Sequence, residues 1–303
     1  MKTSTLLIGF IALALSACTT GKQESKSGEE ASMSIVNAEA PESRPAPTPL
    51  EEIRAANDAF VDAFERGDFA RAVEHYEEDA VWFLTNGMAL RGRASIKGML
   101  TKAHADGAGR FRFSELSLRQ VADVLYTIES FSFEFTPGKA VEGTRFAVWA
   151  TRPGRAPSLV SEAWVSSADA GGEMQAVISK QLEVVASAYN GDDAKALGAL
   201  YTEDASMVLT NGKRVLPEAM NAMLDDTARM PIDDMRFGEP VMVFNAGETH
   251  LYARAPFDVT LPLPDGPVPL VGERLILWRQ VGGDWKMVFE MSWPGNVPVE
   301  TSR

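Results

Sequence analysis

Apolar residues recur at helical spacing in two parts of the chain, and the second set repeats the first. Positions seven and four residues apart lie on one face of a helix, which predicts an amphipathic helix in each part. The first set returns 125 residues later in the sequence: Ile53, Phe60 and Phe64 correspond to Ile178, Val185 and Tyr189. A repeat of this length can close its own hydrophobic core. The sequence therefore predicts two related domains in tandem.

A longer motif is repeated at the same distance. Residues 76–87 read YEEDAVWFLTNG, and residues 201–212 read YTEDASMVLTNG. We expect the tyrosine of each motif to lie on the last turn of a short second helix, the alternating apolar run to form a strand, and Asn-Gly to make a tight hairpin turn. A third helix is predicted after each hairpin from apolar residues that both copies share: Ile96, Met99 and Leu100, and Met220, Met223 and Leu224.

Beyond the third helix both copies change to a period of two, which predicts antiparallel strands. In the first copy the phase of the alternation changes at Glu129 and Ser130, which predicts a β-bulge there. In the second copy Gly282 and Gly283 predict a compact turn between the last two strands. Two tryptophans of each copy correspond at a displacement of 129 residues: Trp149 and Trp164, and Trp278 and Trp293. This order of elements predicts an α+β fold.

The order of elements, the Tyr-x-x-Asp-Ala motif and the closing Gly-Asp-Trp-Lys turn at residues 283–286 resemble the nuclear transport factor 2-like superfamily. More narrowly, they resemble its SnoaL-like, polyketide-cyclase-related branch. The resemblance covers residues 50–167 and 175–294, and it implies two cone-shaped domains, each with three helices packed on a curved antiparallel sheet around a pocket. The first copy departs from the pattern, because residues 152–157 read RPGRAP where that turn is expected. We therefore expect the second copy to keep the functional pocket.

The N-terminal residues have the features of an export signal, with Lys2 followed by an apolar run at residues 6–15. The Leu-Ser-Ala-Cys sequence that ends at Cys18 resembles the lipobox of bacterial lipoproteins, in which the cysteine is acylated. An ordinary signal peptide is the alternative, but Cys18 is the only cysteine and cannot form an internal disulfide. We expect a lipid anchor at Cys18 in the outer membrane, facing the periplasm.

The composition of the next stretch predicts a disordered tether, because it is rich in Ser, Glu and Pro and lacks aromatic residues. The predicted divisions are a signal peptide at residues 1–17, a lipidated tether at 18–49, domains at 50–168 and 174–296, and a tail at 297–303.

The net charge of −13 argues against a nucleic acid partner, since an acidic surface repels phosphate backbones. His75 and His104 are predicted to lie on helices without partners at metal-ligand spacing. We therefore expect no metal site, and the absence of a glycine-rich phosphate loop predicts no cofactor.

No catalytic residue can be assigned from the sequence. Asp79 and Asp204 are interpreted as stabilising the turn before the first strand of each copy. Strand acids usually face solvent, but Glu162 shares strand parity with Trp164, so two orientations remain open: on the solvated face, or with Trp164 in the cone. His250 lies on a predicted strand, either as a general base or on a solvated face. The candidate pocket residues are Tyr76, Trp82, Glu162, Trp164, Tyr201, His250 and Trp293, of which the tryptophans are also core candidates.

These features predict a module that binds a small apolar ligand or a protein in its cone pockets. Two alternatives remain open: a SnoaL-like isomerase, cyclase or hydrolase acting on a hydrophobic carbonyl compound, and an envelope scaffold with filled pockets. The short connection at residues 168–173 keeps the two copies close together. We therefore expect an intramolecular pseudo-dimer in a monomeric chain, with the sheets packed through residues 131–135 and 275–278.

Overall fold

The computed structural model describes residues 47–121, 123–135, 138–166, 171–191, 193–210, 212–229, 232–246, 249–263, 266–295 and 300–301. The predicted signal peptide, Cys18 and nearly all of the predicted tether lie outside these residues. No helix within the described ranges is long and apolar enough to cross a membrane.

The first domain consists of three helices and a sheet. Its helices are α1 (Pro49–Glu65), α2 (Phe69–Ala72) and α3 (Arg93–Ala105). Its strands are β1 (Tyr76–Phe83), β2 (Ala89–Arg91), β3 (Ala108–Val121), β4 (Val124–Phe135), β5 (Lys139–Arg152) and β6 (Arg155–Ser166). The side chain of Thr48 accepts a hydrogen bond from the backbone of Glu51, and Glu51 bonds back to Thr48, so a capping box starts α1.

The second domain repeats this order. Its helices are α4 (Gly171–Asn190), α5 (Ala194–Ala199) and α6 (Pro217–Ala228). Its strands are β7 (Tyr201–Val208), β8 (Arg214–Val215), β9 (Asp233–Phe237), β10 (Met242–Asn245), β11 (His250–Leu263), β12 (Gly266–Val281) and β13 (Asp284–Pro294). A last short strand, β14 (Glu300–Thr301), follows in the predicted tail and pairs with β3 of the first domain.

Two sheets result, one for each domain. The first has the strand order β14-β3-β4-β5-β6-β1-β2, and the second has β10-β11-β12-β13-β7-β8, with β9 also paired to β11. Neighbouring strands are antiparallel except for β1 with β6 and β7 with β13, which are parallel. The prediction of an α+β fold with helices packed on a sheet in each copy is confirmed.

Tyr76 and Tyr201 begin strands, so the prediction that each ends a helix is wrong. The preceding helices end at Ala72 and Ala199, and each tyrosine starts the strand that pairs with the last long strand of its domain. The reason lies in burial: both tyrosine side chains are enclosed in the domain interior. A strand at this position directs the ring inward.

The predicted bulge at Glu129 is also wrong, because β4 pairs with β5 without interruption. The irregularity lies opposite, in β3, where two residues, 115 and 116, face the single residue Glu129 of β4. The apparent change of phase arises because β4 is buried on both faces. Leu125 and Phe131 belong to the domain interior, whereas Val124 and Tyr126 pack against the second domain. The residues of β4 that face the second domain are therefore Val124, Tyr126 and Ile128, and they lie outside the predicted range of 131–135.

The prediction that Trp164 and Trp293 occupy equivalent positions is wrong by one residue, because Ser292 is the residue equivalent to Trp164. Glu162 pairs with Trp82, and Glu290 pairs with Met207, so these two glutamates occupy equivalent positions 128 residues apart. The turns themselves are equally long, but β6 contains one additional residue between Arg155 and Ser158, where its register with β5 shifts, and this changes the displacement from 129. Because a shift of one residue turns a side chain to the other face of a strand, Trp164 lies inside its domain and Trp293 lies on the outer face.

The two sheets contact each other through an apolar cluster to which both domains contribute. The rings of Phe83 and Phe289 stack at its centre with 3.9 Å between centroids. Two hydrogen bonds flank this contact in a reciprocal way: the Tyr126 hydroxyl donates to the carbonyl oxygen of Leu209 at 2.9 Å, and the Tyr252 hydroxyl donates to that of Leu84 at 3.0 Å. Each tyrosine thus holds the hairpin of the other domain.

We propose that this contact makes the chain a pseudo-dimer that is monomeric in solution. Replacing Phe289 by Ala should lower the free energy of unfolding by about 3–5 kcal/mol, because it removes a buried ring from the contact. The exposed Val184 on α4 provides a control, since Val184→Ala should change this free energy by less than about 0.5 kcal/mol. Urea denaturation and sedimentation velocity of the chain from residue 47 onward test the proposal. A stable homodimer, or equal effects of the two substitutions, would contradict it.

Candidate functional site

The interior of the first domain holds a buried carboxylate with two partners. Glu162 on β6 is fully buried. It accepts a hydrogen bond of 2.6 Å from the Tyr76 hydroxyl and another of 2.6 Å from Nε of Arg145 on β5. The structure thus brings together two of the candidate residues, Tyr76 and Glu162, on neighbouring strands.

Arg145 joins Glu162 to a second buried carboxylate. Nη1 of Arg145 lies 3.4 Å from Glu129 on β4 and donates to Oδ1 of Asn57 on α1 at 2.7 Å. The amide of Asn57 donates in turn to Glu129 at 2.6 Å, and Thr127 donates to the other oxygen of Glu129 at 2.8 Å. One guanidinium therefore lies between two carboxylates in an enclosed polar cluster. Such a cluster is stable only when every charged group keeps its partners.

Burial changes the ionisation of the neutral groups beside this cluster. It raises the pKa of Tyr76 well above its usual value, and the charge of Glu162 adds to this effect. Burial lowers the pKa of His75 to about 3, with further lowering by Arg145 and Arg93, so His75 is uncharged at neutral pH. His75 lies in the turn before β1 and not on a helix as predicted. Chemically, the cluster offers a carboxylate as a base and a tyrosine hydroxyl as a hydrogen-bond donor.

Aromatic rings fill the space around this cluster. Trp82 and Trp164, both candidate pocket residues, lie with their ring centroids 5.0 Å apart, and Arg145 lies 4.9 Å from the ring centroid of Phe113. Further rings pack on Trp164 from the helix and sheet sides: Phe60, Phe111 and Phe131. Among the described residues, neither indole nitrogen of the Trp82 and Trp164 pair has a hydrogen-bond partner.

The second domain keeps a reduced form of this cluster. The Tyr201 hydroxyl donates to Glu290 at 2.9 Å, as Tyr76 does to Glu162. Arg274 lies 3.5 Å from Glu290 and donates to Ser292 at 3.0 Å. The positions equivalent to Asn57, Thr127 and Glu129 carry Leu182, Ala253 and Ala255. Arg274 therefore has one carboxylate partner where Arg145 has two.

Smaller side chains replace several rings in the second domain, which also has a cleft on its helix side, lined by one of the replacing residues, Met235. The replacements are Val185 for Phe60, Met207 for Trp82, Met235 for Phe111, Val259 for Phe133 and Ser292 for Trp164. The cleft has a volume of about 520 Å³ and lies between α4 and β9. Its lining includes Leu182, Ala186, Met235 and Phe237 together with polar residues at its rim. We call it the α4–β9 cleft.

Two candidate residues lie outside both domain interiors. Trp293 belongs to the cluster between the sheets, and its indole nitrogen donates to Glu273 at 3.1 Å. His250 begins β11 and lines a cleft between the domains. Asp79 and Asp204, interpreted as turn residues, form ion pairs near the surface: Asp79 with Arg214 of the other domain, and Asp204 with Arg279.

Neither buried arginine, Arg145 nor Arg274, is among the residues predicted from the sequence. A signal for them exists in the repeat itself, since Gly143-Thr144-Arg145 returns as Gly272-Glu273-Arg274 at the displacement of 129 residues. A Cβ atom at either glycine would come within 2.7 Å of a phenylalanine ring, Phe131 or Phe257. The glycine thus allows close packing two residues before the arginine. Among the described residues, no group of His, Cys, Asp and Glu side chains is arranged to hold a metal ion.

Comparison with known proteins supports this description of the fold. Residues 58–159 match the family model described as a SnoaL-like domain. The match lies within the first domain, and the second repeats the same order of elements, so the fold is nuclear transport factor 2-like α+β. A search of curated proteins found no match.

Three solved structures illustrate the likeness at low sequence identity. A putative calcium/calmodulin dependent protein kinase II association domain from Xanthomonas campestris is 13% identical, with 43% of this chain and 93% of that chain covered and a TM-score of 0.37. A ketosteroid isomerase-like protein from Erwinia carotovora atroseptica is 14% identical, with 38% and 94% covered and a TM-score of 0.33. An NTF2-like protein from Cytophaga hutchinsonii is 11% identical, with 41% and 99% covered and a TM-score of 0.35.

The two arginines provide a matched pair of substitutions. Arg145→Met should lower the free energy of unfolding by about 3–5 kcal/mol, because it leaves two buried carboxylates without their cation. Arg274→Met should cost less, on the order of 2–3 kcal/mol, since it leaves one buried carboxylate, Glu290, without its cation. Urea denaturation of both variants measures the difference. Equal losses, or a larger loss for Arg274→Met, would show that the second carboxylate does not increase the dependence on Arg145.

Proposed function

We propose that this protein binds a small, largely apolar molecule in the α4–β9 cleft of its second domain. The observation that carries the proposal is the cleft itself, whose volume of about 520 Å³ lies in the range of small-molecule sites. Its inner wall is formed by Leu182 and Met235, which belong to the core of the domain, so a ligand there would contact the domain interior.

Hydrogen bonds hold the two walls of the cleft at a fixed separation. The Asn190 side chain on α4 donates to the carbonyl oxygen of Met235 at 3.0 Å and accepts from the Met235 amide at 2.7 Å. Near the other end of the cleft, Ser179 bonds to Glu239 at 3.1 Å and Gln175 to the carbonyl oxygen of Pro240 at 3.1 Å. A preformed site loses less conformational entropy when a ligand binds.

The cleft lies next to the reduced polar cluster. Phe237 lines the cleft, and its ring centroid is 5.3 Å from the guanidinium carbon of Arg274. The rings of Tyr189 and Phe257 lie at 5.4 Å from the same carbon. Arg274 thus packs against aromatic side chains behind the cleft, whose lining combines the apolar Leu182, Ala186, Met235 and Phe237 with polar residues.

A second candidate function is acid–base catalysis on a hydrophobic carbonyl compound in the first domain. The hydrogen bond between Tyr76 and Glu162 favours it, because a tyrosine donor beside a carboxylate base suits proton transfer. The unpartnered indole nitrogens of Trp82 and Trp164 could donate to a carbonyl oxygen. The dense packing of rings around the cluster favours a structural role, so we place ligand binding in the second domain first.

Filling the cleft should abolish binding. Ala186→Phe places a ring in the α4–β9 cleft, and Val61→Phe makes the same change at the equivalent position of the first domain. With the neutral fluorescent probe N-phenyl-1-naphthylamine, we expect Ala186→Phe to weaken binding at least about tenfold, as is typical when 1.4 kcal/mol or more is lost. Val61→Phe should leave it unchanged.

Other outcomes of this titration are informative. Binding that survives Ala186→Phe but is lost in Val61→Phe or Glu162→Gln would assign the site to the first domain and favour the catalytic alternative. Competition with a library of small molecules then narrows the ligand class.

We also propose that the protein is a lipoprotein held at the outer membrane through Cys18. The support is the Leu-Ser-Ala-Cys sequence in a chain with no other cysteine. With a net charge of −13, the protein would not be held on an anionic membrane surface by electrostatics alone, so attachment requires the lipid.

Replacing Cys18 by Ser should release the protein from the membrane, because the acylated thiol is its proposed anchor. In a Gram-negative bacterial host, fractionation should find the wild-type protein with outer membranes and the variant in the soluble periplasm or as uncleaved precursor in the inner membrane. Outer-membrane association of the Cys18→Ser variant would rule the anchor out.

A further inference from the structure

A second cleft lies between the domains, away from the α4–β9 cleft. The hairpin of β1 and β2 forms one side, and residues at the start of β11 and the end of β12 form the other. Its volume is about 390 Å³. We call it the interdomain cleft.

Cationic and polar groups surround this cleft. Arg279 donates two hydrogen bonds to Asp204, at 2.7 and 3.2 Å, which fixes its guanidinium at the cleft wall. Arg91 also lines the cleft, is exposed, and forms no ion pair with any described residue. The two arginines and Asp204 leave one positive charge in excess, in a protein whose net charge is −13.

His250 forms part of the wall and is held by the hairpin. A Cβ atom at Gly87, where φ is +78°, would come within 2.7 Å of the His250 ring, so glycine allows the hairpin to pack directly on the imidazole. Partial burial lowers the pKa of His250, and the positive charge of Arg279 lowers it further. The imidazole is therefore available in its neutral form, with one N–H to donate.

The floor of the cleft is apolar and rigid. Phe83 and Val288 line it, and the Phe83 ring stacks on Phe289 in the contact between the sheets. The cleft thus combines an apolar surface with a positive rim, within the volume range of small-molecule sites.

The repeat places different side chains at the two ends of the contact between the domains. His250 pairs with Arg279 across β11 and β12, and the equivalent pair across β4 and β5 is Val124 with Ala150. Val124 packs on Gly212 as His250 packs on Gly87. The position equivalent to Arg91 carries Leu216. His250, Arg279 and Arg91 thus stand where the other end of the contact has apolar residues. That end has Lys213 and Arg214 in place of Met88 and Ala89, and its Arg214 forms an ion pair with Asp79 of the first domain.

We propose that the interdomain cleft binds a small organic carboxylate that carries an apolar group. The carboxylate would pair with Arg91 and accept hydrogen bonds from Arg279 or His250, and the apolar group would cover Phe83 and Val288. A charge-assisted hydrogen bond to an arginine is strong enough to select an anion over a neutral molecule of the same shape. This site is separate from the one in the α4–β9 cleft.

Phenylacetate and the neutral 2-phenylethanol are the probes, added to the chain from residue 47 onward with ¹³C-labelled histidines. Phenylacetate should shift the His250 resonance in a saturable way and bind at least tenfold more tightly than 2-phenylethanol. Arg91→Leu and His250→Val introduce the side chains of the equivalent positions, Leu216 and Val124, so the fold should tolerate both. Arg91→Leu should weaken binding at least tenfold, while Arg155→Leu, at an exposed arginine outside the cleft, should not.

Several results would overturn the proposal. These are equal binding of the two probes, unchanged affinity in Arg91→Leu with its thermal stability preserved, or shifts confined to His75 and His104. Loss of phenylacetate binding in Ala186→Phe would assign the carboxylate to the α4–β9 cleft instead. Because N-phenyl-1-naphthylamine reports on that cleft, the two sites can fail independently.

Discussion

The packing of the two sheets against each other is the contact on which the rest of the structure depends. It buries the outer face of each sheet, so β4 and β12 are enclosed on both sides: Leu125 and Ile276 lie inside their domains, and Tyr126 and Leu277 lie between them. A lone domain would expose this apolar face to water, which monomeric proteins avoid. The reciprocal hydrogen bonds of Tyr126 and Tyr252 add direction to a contact that is otherwise apolar.

With the outer faces fixed in this way, the two domain interiors have diverged. The first encloses Glu129, Arg145 and Glu162 with all of their partners, a costly arrangement that tolerates little rearrangement. The second has smaller side chains in place of one carboxylate and several rings, and it has a cleft between α4 and β9. The first copy of the fold thus holds a tightly packed polar cluster, and the second holds a cleft that can take a ligand.

Much of this architecture can be read from the sequence because it depends on local patterns. The helices, the hairpins and the duplication follow from periodicity, Asn-Gly turns and a constant displacement, and Gly282 and Gly283 do form the predicted turn between β12 and β13. The inward direction of Glu162, together with Trp164, is one of the two orientations that the sequence leaves open.

The remaining features depend on contacts between distant parts of the chain. One additional residue in β6, between Arg155 and Ser158, decides that Trp293 faces outward while Trp164 faces inward, and the alternation of residues along the strand does not reveal it. The surroundings of His250 could not be predicted either, because its neighbours come from the hairpin of the other domain. The partners of Arg145 come from α1, β4 and β6, and no local pattern relates these elements.

Joining two copies in one chain has a consequence for how the contact between them can change. In a homodimer each substitution occurs twice, so a charge placed at one end of the interface is also placed at the other. Here the two ends are encoded separately, and Val124 could stay apolar while its counterpart became His250. Because both copies lie in one chain, each end of the contact can change without the other, and the two ends can carry two different chemistries.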